Sequence, residues 1–576
     1  MIRLVFLCNA TVDLDGPALD PADSDHTVEI EGNPFPTEAI RWEYFVPSEH
    51  RTVCPWKGEA VYYHVKVGES LNQNAVWSYP EPKEAAAEIM RCLRMQDYDV
   101  IVIGAGQGGI PFAREAAANG RKTALIERKH VGGTCINEGC TPTKTMIASA
   151  RVAHLAQRGP DYGVRTGTVE VDLERVRQRK RDIVESWRAG SEDRIEATDG
   201  LTLIRGDARF TAPHSLAVTP ASSENGRQSE EPPEEELELS APIIVIDAGT
   251  RPSIPPLPGL EDVPYLTSTS IMELAEVPEH LLILGGGYVA VEFGQMFRRF
   301  GSRVTIVERG PRLLSQEDED VSEAVAEILR EDGLEVLTES TAQQVRQTGQ
   351  AGVELEVETS SGTRVLSGSH LLVATGRTPN TEGLNLESAG ILADHRGFVT
   401  VDDRLESNVS GVYAIGDING GPAFTHISYD DYRILKTNLL EGGQAGTEGR
   451  LVPYVVFIDP QLGRVGLNER QAVDRGHRFL VGQMPMSSVA RALETDETRG
   501  LMKVIVDAET DEILGAAVLG LEGGEIMAIL ETAMLGKLPA GVLREAIFAH
   551  PTLAEAMNNL FGTLSAPSDA KAPGAS

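Results

Sequence analysis

Residues 98–128, YDVIVIGAGQGGIPFAREAAANGRKTALIER, run from a short apolar stretch through a glycine-rich turn, a segment of helical spacing and a second apolar stretch. An apolar run this short, closed by glycine, reads as a buried strand, so the whole predicts a strand–turn–helix–strand unit. The pattern returns at 281–309, LLILGGGYVAVEFGQMFRRFGSRVTIVER. Before the first unit, AVYYHVKVG (60–68) alternates as strands do, and SYPEPKEAAAEIM (78–90) reads as a turn, a helix and then a linker. Between the units, residues 219–242 are acidic, rich in Pro and Ser, and lack apolar period. They are expected to form a mobile surface loop, having too little apolar surface to bury. Beyond about residue 451 come strand-like runs such as LMKVIVDAET and then helices to Phe561, and the tail 563–576 is expected to be disordered.

Length and charge narrow the class. A chain of 576 residues should form several domains, because single cores rarely grow past about 250–300 residues. The opening MIRLVFLCNA has an apolar run too short for a secretory signal, and no stretch reaches the ~20 apolar residues of a membrane helix. A cytoplasmic protein with no membrane partner is expected. The net charge of -34 repels nucleic acid, so no nucleic-acid partner is expected either. It suits high solubility, or a salty cytoplasm in which screening blunts the repulsion among carboxylates.

Five cysteines (Cys8, Cys54, Cys92, Cys135, Cys140) are too few for a secreted disulfide scaffold. Two of them stand five positions apart in GGTCINEGC (132–140), which could be half a metal site, a staple or a cycling dithiol. No second Cys/His pair lies nearby, so no metal site is expected. The two repeated units weigh on the choice. In the first, Gly104, Gly106 and Gly109 have G-x-G-x-x-G spacing, and Glu127 follows 23 residues after the first glycine. In the second, Gly285, Gly287 and Ala290 take those places, with Glu308 at the same separation. The first position allows a tight turn, the second admits a pyrophosphate, the third permits close helix–strand packing, and the carboxylate accepts from a ribose. Two dinucleotide sites and one dithiol imply an electron relay from nicotinamide to flavin to disulfide. Glu308 would repel a 2′-phosphate and so favours NADH over NADPH, although Arg309 and Arg312 stand close by.

With these motifs, residues 97–562 resemble the class I pyridine nucleotide–disulfide oxidoreductases, the family of dihydrolipoamide dehydrogenase, glutathione reductase and mercuric reductase. GGTCINEGCTPTK is similar to the family's redox-active disulfide motif. AGTRP (248–252) and VATGRTPN (373–380), which hold Gly249 and Gly376, resemble its two crossovers. GVYAIGDINGG (411–421) resembles the second FAD motif, and HPTLAE (550–555) the interface motif. The resemblance implies two Rossmann-like dinucleotide-binding α/β domains and an α+β C-terminal dimerisation domain, and the strand-like runs before them add a small, mainly β domain in front. The bounds it implies are 1–92 for the β-rich domain of unknown function, 97–252 with 375–450 for FAD, 253–374 for NAD(P), and 451–562 for the interface. The stretches HRTVCPWKGEAVYYHV (50–65) and AVWSYPEPKEAAAEI (75–89) separately resemble a family of unknown function.

The resemblance also assigns roles. Cys135 would attack substrate, and Cys140 would lie against the flavin as the charge-transfer thiolate. A helix expected over 141–156, just after Cys140, would acidify that thiol. Lys144 would pair with Glu292 beside the flavin, Tyr288 would cover the nicotinamide pocket, and Asp417 would hold the ribityl chain. Gly133, Thr134 and Thr425 would line the FAD site. His550, oriented by Glu555, would serve Cys135 across a homodimer with shared active sites. Mercuric reductases carry a C-terminal cysteine pair and a tyrosine in place of the histidine. This chain has no cysteine after Cys140, so neither mercuric-ion reduction nor a thioredoxin-reductase activity is expected, although TPTK and FAHPTLAEAMNNLF look most like the mercuric branch. Glu138, between the cysteines, would either oppose thiolate formation or point to water. The function implied is FAD-dependent transfer from NAD(P)H through Cys135–Cys140 to a small disulfide, or the reverse. Alternatives are a flavin reductase of a quinone, metal ion or other electrophile, and a redox sensor or partner-binding module.

Overall fold

The structure is a computed structural model that describes residues 55–56, 59–60, 96–221, 236–349 and 352–567. The chain divides into two compact units, Met1–Asp97 with Glu236–Ser240, and Tyr98–Glu235 with Ala241–Ser576. In the first, Pro55–Trp56 pairs antiparallel with Glu59–Ala60, and Gln96–Asp97 pairs parallel with Leu237–Ser240. The expected strand at 60–68 and helix at 78–90 lie, but for Ala60, outside the described residues.

The second unit opens on β1 (Val100–Ile103), the glycine turn, α1 (Gly109–Ala118) and β2 (Thr123–Glu127). Every residue of both strands is buried, as parallel strands covered on two faces require. The short α2 (Gly133–Asn137) and the long α3 (Cys140–Gln157) carry the two cysteines. The chain continues through β3 (Leu201–Ala212), β4 (Ser215–Pro220) and β5 (Ile243–Ile246).

The second repeat forms its own parallel sheet from β6 (Tyr265–Leu266), β7 (His280–Leu284), β8 (Arg303–Val307), β9 (Glu335–Leu337) and β10 (His370–Val373), in the order β6-β10-β7-β8-β9. Its helix α4 (Tyr288–Phe300) packs on that sheet through Val291, Phe293 and Phe297. Phe297 is fully buried, so its truncation to alanine should cost about 3–5 kcal/mol. The chain then returns to the first sheet with β11 (Val412–Ala414), giving the order β11-β5-β1-β2-β3-β4, followed by α5 (Thr425–Leu439). The crossovers pair with each other, Thr250–Pro252 lying antiparallel to Arg377–Pro379.

The C-terminal part is an antiparallel sheet of β12 (Tyr454–Val456), β13 (Gln461–Gly466), β14 (Phe479–Pro485), β15 (Leu501–Asp507) and β16 (Ile513–Gly520), with α6 (Gly523–Leu535) laid on β13 and β16.

Three local expectations change. The helix expected from 141 begins one residue earlier, making Cys140 its first residue. The loop expected over 219–242 is narrower: residues 219–220 belong to β4, and Leu237–Ser240 is a strand whose Leu239 is buried. Its middle, 222–235, lies outside the described residues. The tail expected from 563 is held at its start, because Ser565 forms a bridge with Val481 and the Gln483 amide donates to Thr563 Oγ1 at 3.0 Å. The unpaired edge of β14 accounts for this, since edge backbone groups seek partners. Residues 568–576 lie outside the described residues.

Candidate active site

The two glycine turns are built alike. Gly104 and Gly285 both have φ of +106°, and a Cβ on either would sit 2.2 or 2.4 Å from the carbonyl oxygen of Asp247 or Ala374. Only glycine fits such a turn against the next strand's end. Each strand-end carboxylate is then held by main chain. Glu127 accepts from Ala105 N at 2.9 Å and Lys129 N at 2.8 Å, and Glu308 from Gly310 N at 2.6 Å. The turns differ at their second glycine. Open space faces Gly287, whereas a Cβ on Gly106 would meet the Asp247 carboxylate at 2.5 Å. Asp247 Oδ2 accepts from Gly109 N at 2.8 Å, and burial pushes its carboxyl well above the ordinary range, with Asp417, Glu127 and Asp431 adding to the push. Nothing in the motif pointed to Asp247. The only available signal was a carboxylate ending an apolar strand opposite the glycine turn.

A cavity of about 1080 Å³ runs from this turn to the dithiol. Its lining brings together Gly104, Gly106, Glu127, Gly133, Thr134, Cys135, Cys140, Lys144, Gly249, Tyr288, Glu292, Asp417 and Thr425. The volume lies at the upper end of small-molecule sites, as an extended dinucleotide needs. Gly285, Gly287, Ala290 and Glu308 stand at the second turn, outside this lining, and Gly376 adjoins its Arg377. Asp417 Oδ2 accepts from Thr250 Oγ1 at 2.7 Å, with Arg377 Nε 3.7 Å away. The bare glycine turn, the helix N-terminus behind it and the carboxylate at the strand end fit a bound FAD.

The two thiols are unlike. Cys140 opens onto the cavity, and its Sγ lies 3.4 Å from Thr425 Oγ1. A hydrogen bond from Cys135, then one from Thr425 and the charge of Lys144, lower its pKa to about 6 against the opposing effect of burial. Its place at the start of an 18-residue helix acts the same way. Cys135 moves oppositely: the bond it donates to Cys140, and burial, hold its thiol strongly protonated. Lys144 Nζ donates to Glu292 Oε2 at 2.7 Å, and Glu292, 4% exposed, also accepts from Phe457 N at 2.8 Å. Phe457 completes this corner with its ring 4.9 Å from Lys144 Nζ, a contact no sequence motif disclosed. Glu138 neither approaches the thiols as a free charge nor points to water alone. It pairs with Lys129 Nζ, and Thr269 Oγ1 donates to it at 3.2 Å.

His550 is not among the residues lining this cavity. Its Nδ1 lies 2.9 Å from Glu555 Oε2, which leaves Nε2 directed away from the carboxylate, and the side chain is 69% exposed. Leu538, Val542 and the fully exposed Ile547 are exposed apolar residues that precede it in the sequence. Among the described residues, no helix is long and apolar enough to cross a membrane.

Residues 98–431 match the profile of the pyridine nucleotide-disulphide oxidoreductase family, and 452–561 match its dimerisation domain. Residues 33–103 match a domain of unknown function, DUF427. The probable pyridine nucleotide-disulfide oxidoreductase RclA of Escherichia coli K12 is 37% identical over 471 residues, covering 81% of this chain and 99% of that protein. A mercuric reductase of Staphylococcus aureus is 35% identical over 461 residues, covering 80% and 81%. The solved Cu(II) complex of the HOCl-induced flavoprotein disulfide reductase RclA superposes with a TM-score of 0.72 at 36% identity, covering 81% and 99%. This chain belongs to the pyridine nucleotide-disulphide oxidoreductase family. It is a homodimeric flavoprotein that binds FAD and a pyridine nucleotide, and it passes electrons from NAD(P)H through flavin to a redox-active disulfide.

Proposed function

We propose that Cys135 and Cys140 are the pair that cleaves a small disulfide substrate, with lipoamide-type compounds the first class to test. The observation that carries this reading is the placement of both thiols on one cavity, with Cys140 as the first residue of an 18-residue helix and its Sγ 3.4 Å from Thr425 Oγ1. FAD, when bound, supplies the two-electron link between the nicotinamide nucleotide and this pair. Cys135 gives up its proton to a base and attacks one substrate sulfur. The substrate S–S bond breaks, and the departing sulfur takes a proton. The Cys140 thiolate then attacks Cys135, closing the internal disulfide and releasing the second substrate sulfur as a thiolate, which takes a proton from solvent. Two electrons leave the dithiol for each disulfide cleaved. Cys135 needs a base, and His550, oriented by Glu555 and largely exposed within the dimerisation domain, fits that role toward a partner chain. Lys144, paired with Glu292, supports the Cys140 thiolate electrostatically. A dithiol that must stay reducible suits the cytoplasm.

Steady-state assays with lipoamide, glutathione disulfide and coenzyme A disulfide test the substrate class. The reading fails if no disulfide accelerates NAD(P)H oxidation above the rate with oxygen alone. The Cu(II) complex of RclA favours a second reading, in which a metal ion is the acceptor, and Cu(II) in the same series separates the two.

Glu308, held at its strand end by Gly310 N, supports NADH as the donor. NADH should exceed NADPH in kcat/KM, and Glu308→Ala should narrow the gap. A native preference for NADPH would shift attention to Arg309 and Arg312.

The domain bounds given above are likewise a proposal. The catalytic family match starts at 98. A chain beginning near residue 95 should therefore still fold, retain flavin and reduce a disulfide. Loss of flavin on truncation would show that the N-terminal unit is integral to the site.

A further inference from the structure

Phe424 is stacked with two nearly parallel rings. Tyr454 stacks on it with centroids 5.3 Å apart and planes 9° apart, and His426 at 5.4 Å and 12°. Tyr288, the first residue of α4, tilts toward it at 6.3 Å. All four rings line the cavity, and Thr425, the residue after Phe424, is the one that touches Cys140.

This wall has an anchor with no part in the chemistry described so far. The Tyr454 hydroxyl donates to Glu317 Oε1, and Glu317 is 3% exposed. Its other oxygen faces Arg464 Nε at 3.2 Å. Arg464 is itself buried and donates to the carbonyls of Val465 and Ala516 at 2.6 and 3.1 Å, so backbone already helps to fix it. A buried carboxylate is costly unless satisfied, and here one oxygen is committed to the ring wall. The loop bearing Glu317 is fastened at its other end to the second glycine turn. Glu317 N donates to Leu314 O at 2.8 Å, and Leu314 N donates to Gly286 O at 2.9 Å. A short chain of contacts thus joins the Gly285–Gly287 turn to the rings beside Cys140.

We propose that Glu317 is a positioning residue for the nicotinamide end of the cavity, acting through Tyr454, whose ring it holds flat against Phe424. The proposal rests on the NAD(P)H-linked reading of the site. Without the hydroxyl contact the Tyr454 ring is free to turn, and the wall loses its registration with the glycine turn. Small misplacements of a bound reactant are expensive in rate.

The test uses the dimeric holoenzyme. Tyr454→Phe removes one hydrogen bond and leaves the Glu317–Arg464 pair intact. It should raise KM for the nicotinamide nucleotide, and the calorimetric Kd for its oxidised form, by about threefold to tenfold, the range for one lost hydrogen bond. KM for the disulfide should stay within about twofold. Glu317→Gln, which keeps an acceptor for the hydroxyl, should spare the nucleotide KM, whereas Glu317→Ala should not. The proposal is overturned if Tyr454→Phe leaves the nucleotide KM and Kd unmoved, if both substrates' KM values rise together, or if Glu317→Gln matches Glu317→Ala. Should Glu317→Ala fail to fold, Tyr454→Phe with Glu317→Gln still decides. An unsubstituted enzyme that oxidises neither nucleotide overturns the underlying reading, and this proposal with it. A normal parent with an unmoved Tyr454→Phe overturns this proposal alone.

Discussion

Cys135→Ala and Cys140→Ala should each lose disulfide reduction by a factor on the order of 10³ or more, the scale of losing a covalent nucleophile. Both should keep their bound flavin, because neither cysteine builds the glycine turn at Gly104 or the Glu127 contact. The pair also makes a titration signature. In the reduced wild type, the ultraviolet absorbance of one thiolate should rise with a midpoint near pH 6, from Cys140. The sign follows from the lowered pKa: the thiolate is present above that midpoint and is lost as pH falls through it. The largest cause is the hydrogen bond from Cys135, so Cys135→Ala should move the midpoint up toward the ordinary thiol range. Lys144→Met should move it in the same direction by less, since the charge of Lys144 ranks behind the Cys135 and Thr425 hydrogen bonds. A midpoint that stays near pH 6 in Cys135→Ala would mean that the helix start and Lys144 acidify Cys140 without its neighbour. Unchanged disulfide reduction in either cysteine variant would remove the dithiol from the reaction altogether.

What could be read from the sequence, and what could not, divides by range. The two βαβ units were legible because short apolar strands, a left-handed glycine and a carboxylate at fixed separation are local features, and Gly104 and Gly285 take the same φ for the same reason. His550 and Glu555, five residues apart, belong to one motif and meet as expected. The start of α3 at Cys140 was missed by one residue, because Gly139 ends the turn at φ −132° and ψ −116°, a backbone conformation that composition does not specify. Asp247 was invisible for a deeper reason: its partner Gly109 lies 138 positions away, and only the fold brings a buried carboxylate to that amide. Glu317 and Tyr454 are 137 apart and belong to different domains of the core. Glu138 shows the limit even within a motif. Its position between the cysteines was plain, but its charge is taken up by Lys129, which a list of spacings treats as an ordinary surface lysine.

Mixed dimers of Cys135→Ala and His550→Ala subunits should recover activity that neither parent has. The reason is that Cys135, held protonated, needs a base, while His550 lies outside the cavity of its own chain and is largely open to solvent. A two-fold dimer makes each contact between chains twice and reciprocally, so a base given to the partner's thiol is received back at the other site. Removing the base alone should cost about 10²–10⁴ in the step it assists, and removing Cys135 should abolish the reaction. In a mixed dimer one site then lacks both groups. The other joins the intact cysteine of one chain to the intact histidine of its partner. Random reassembly makes about half of the dimers mixed, so activity should return to about a quarter of the wild-type value. Co-expression with two affinity tags isolates the mixed species, for which about half of wild type is expected. If tagged mixed dimers form and their activity stays at the level of the parents, the histidine acts within its own chain. The site would then have to close by a rearrangement that brings His550 to the cavity from its own domain.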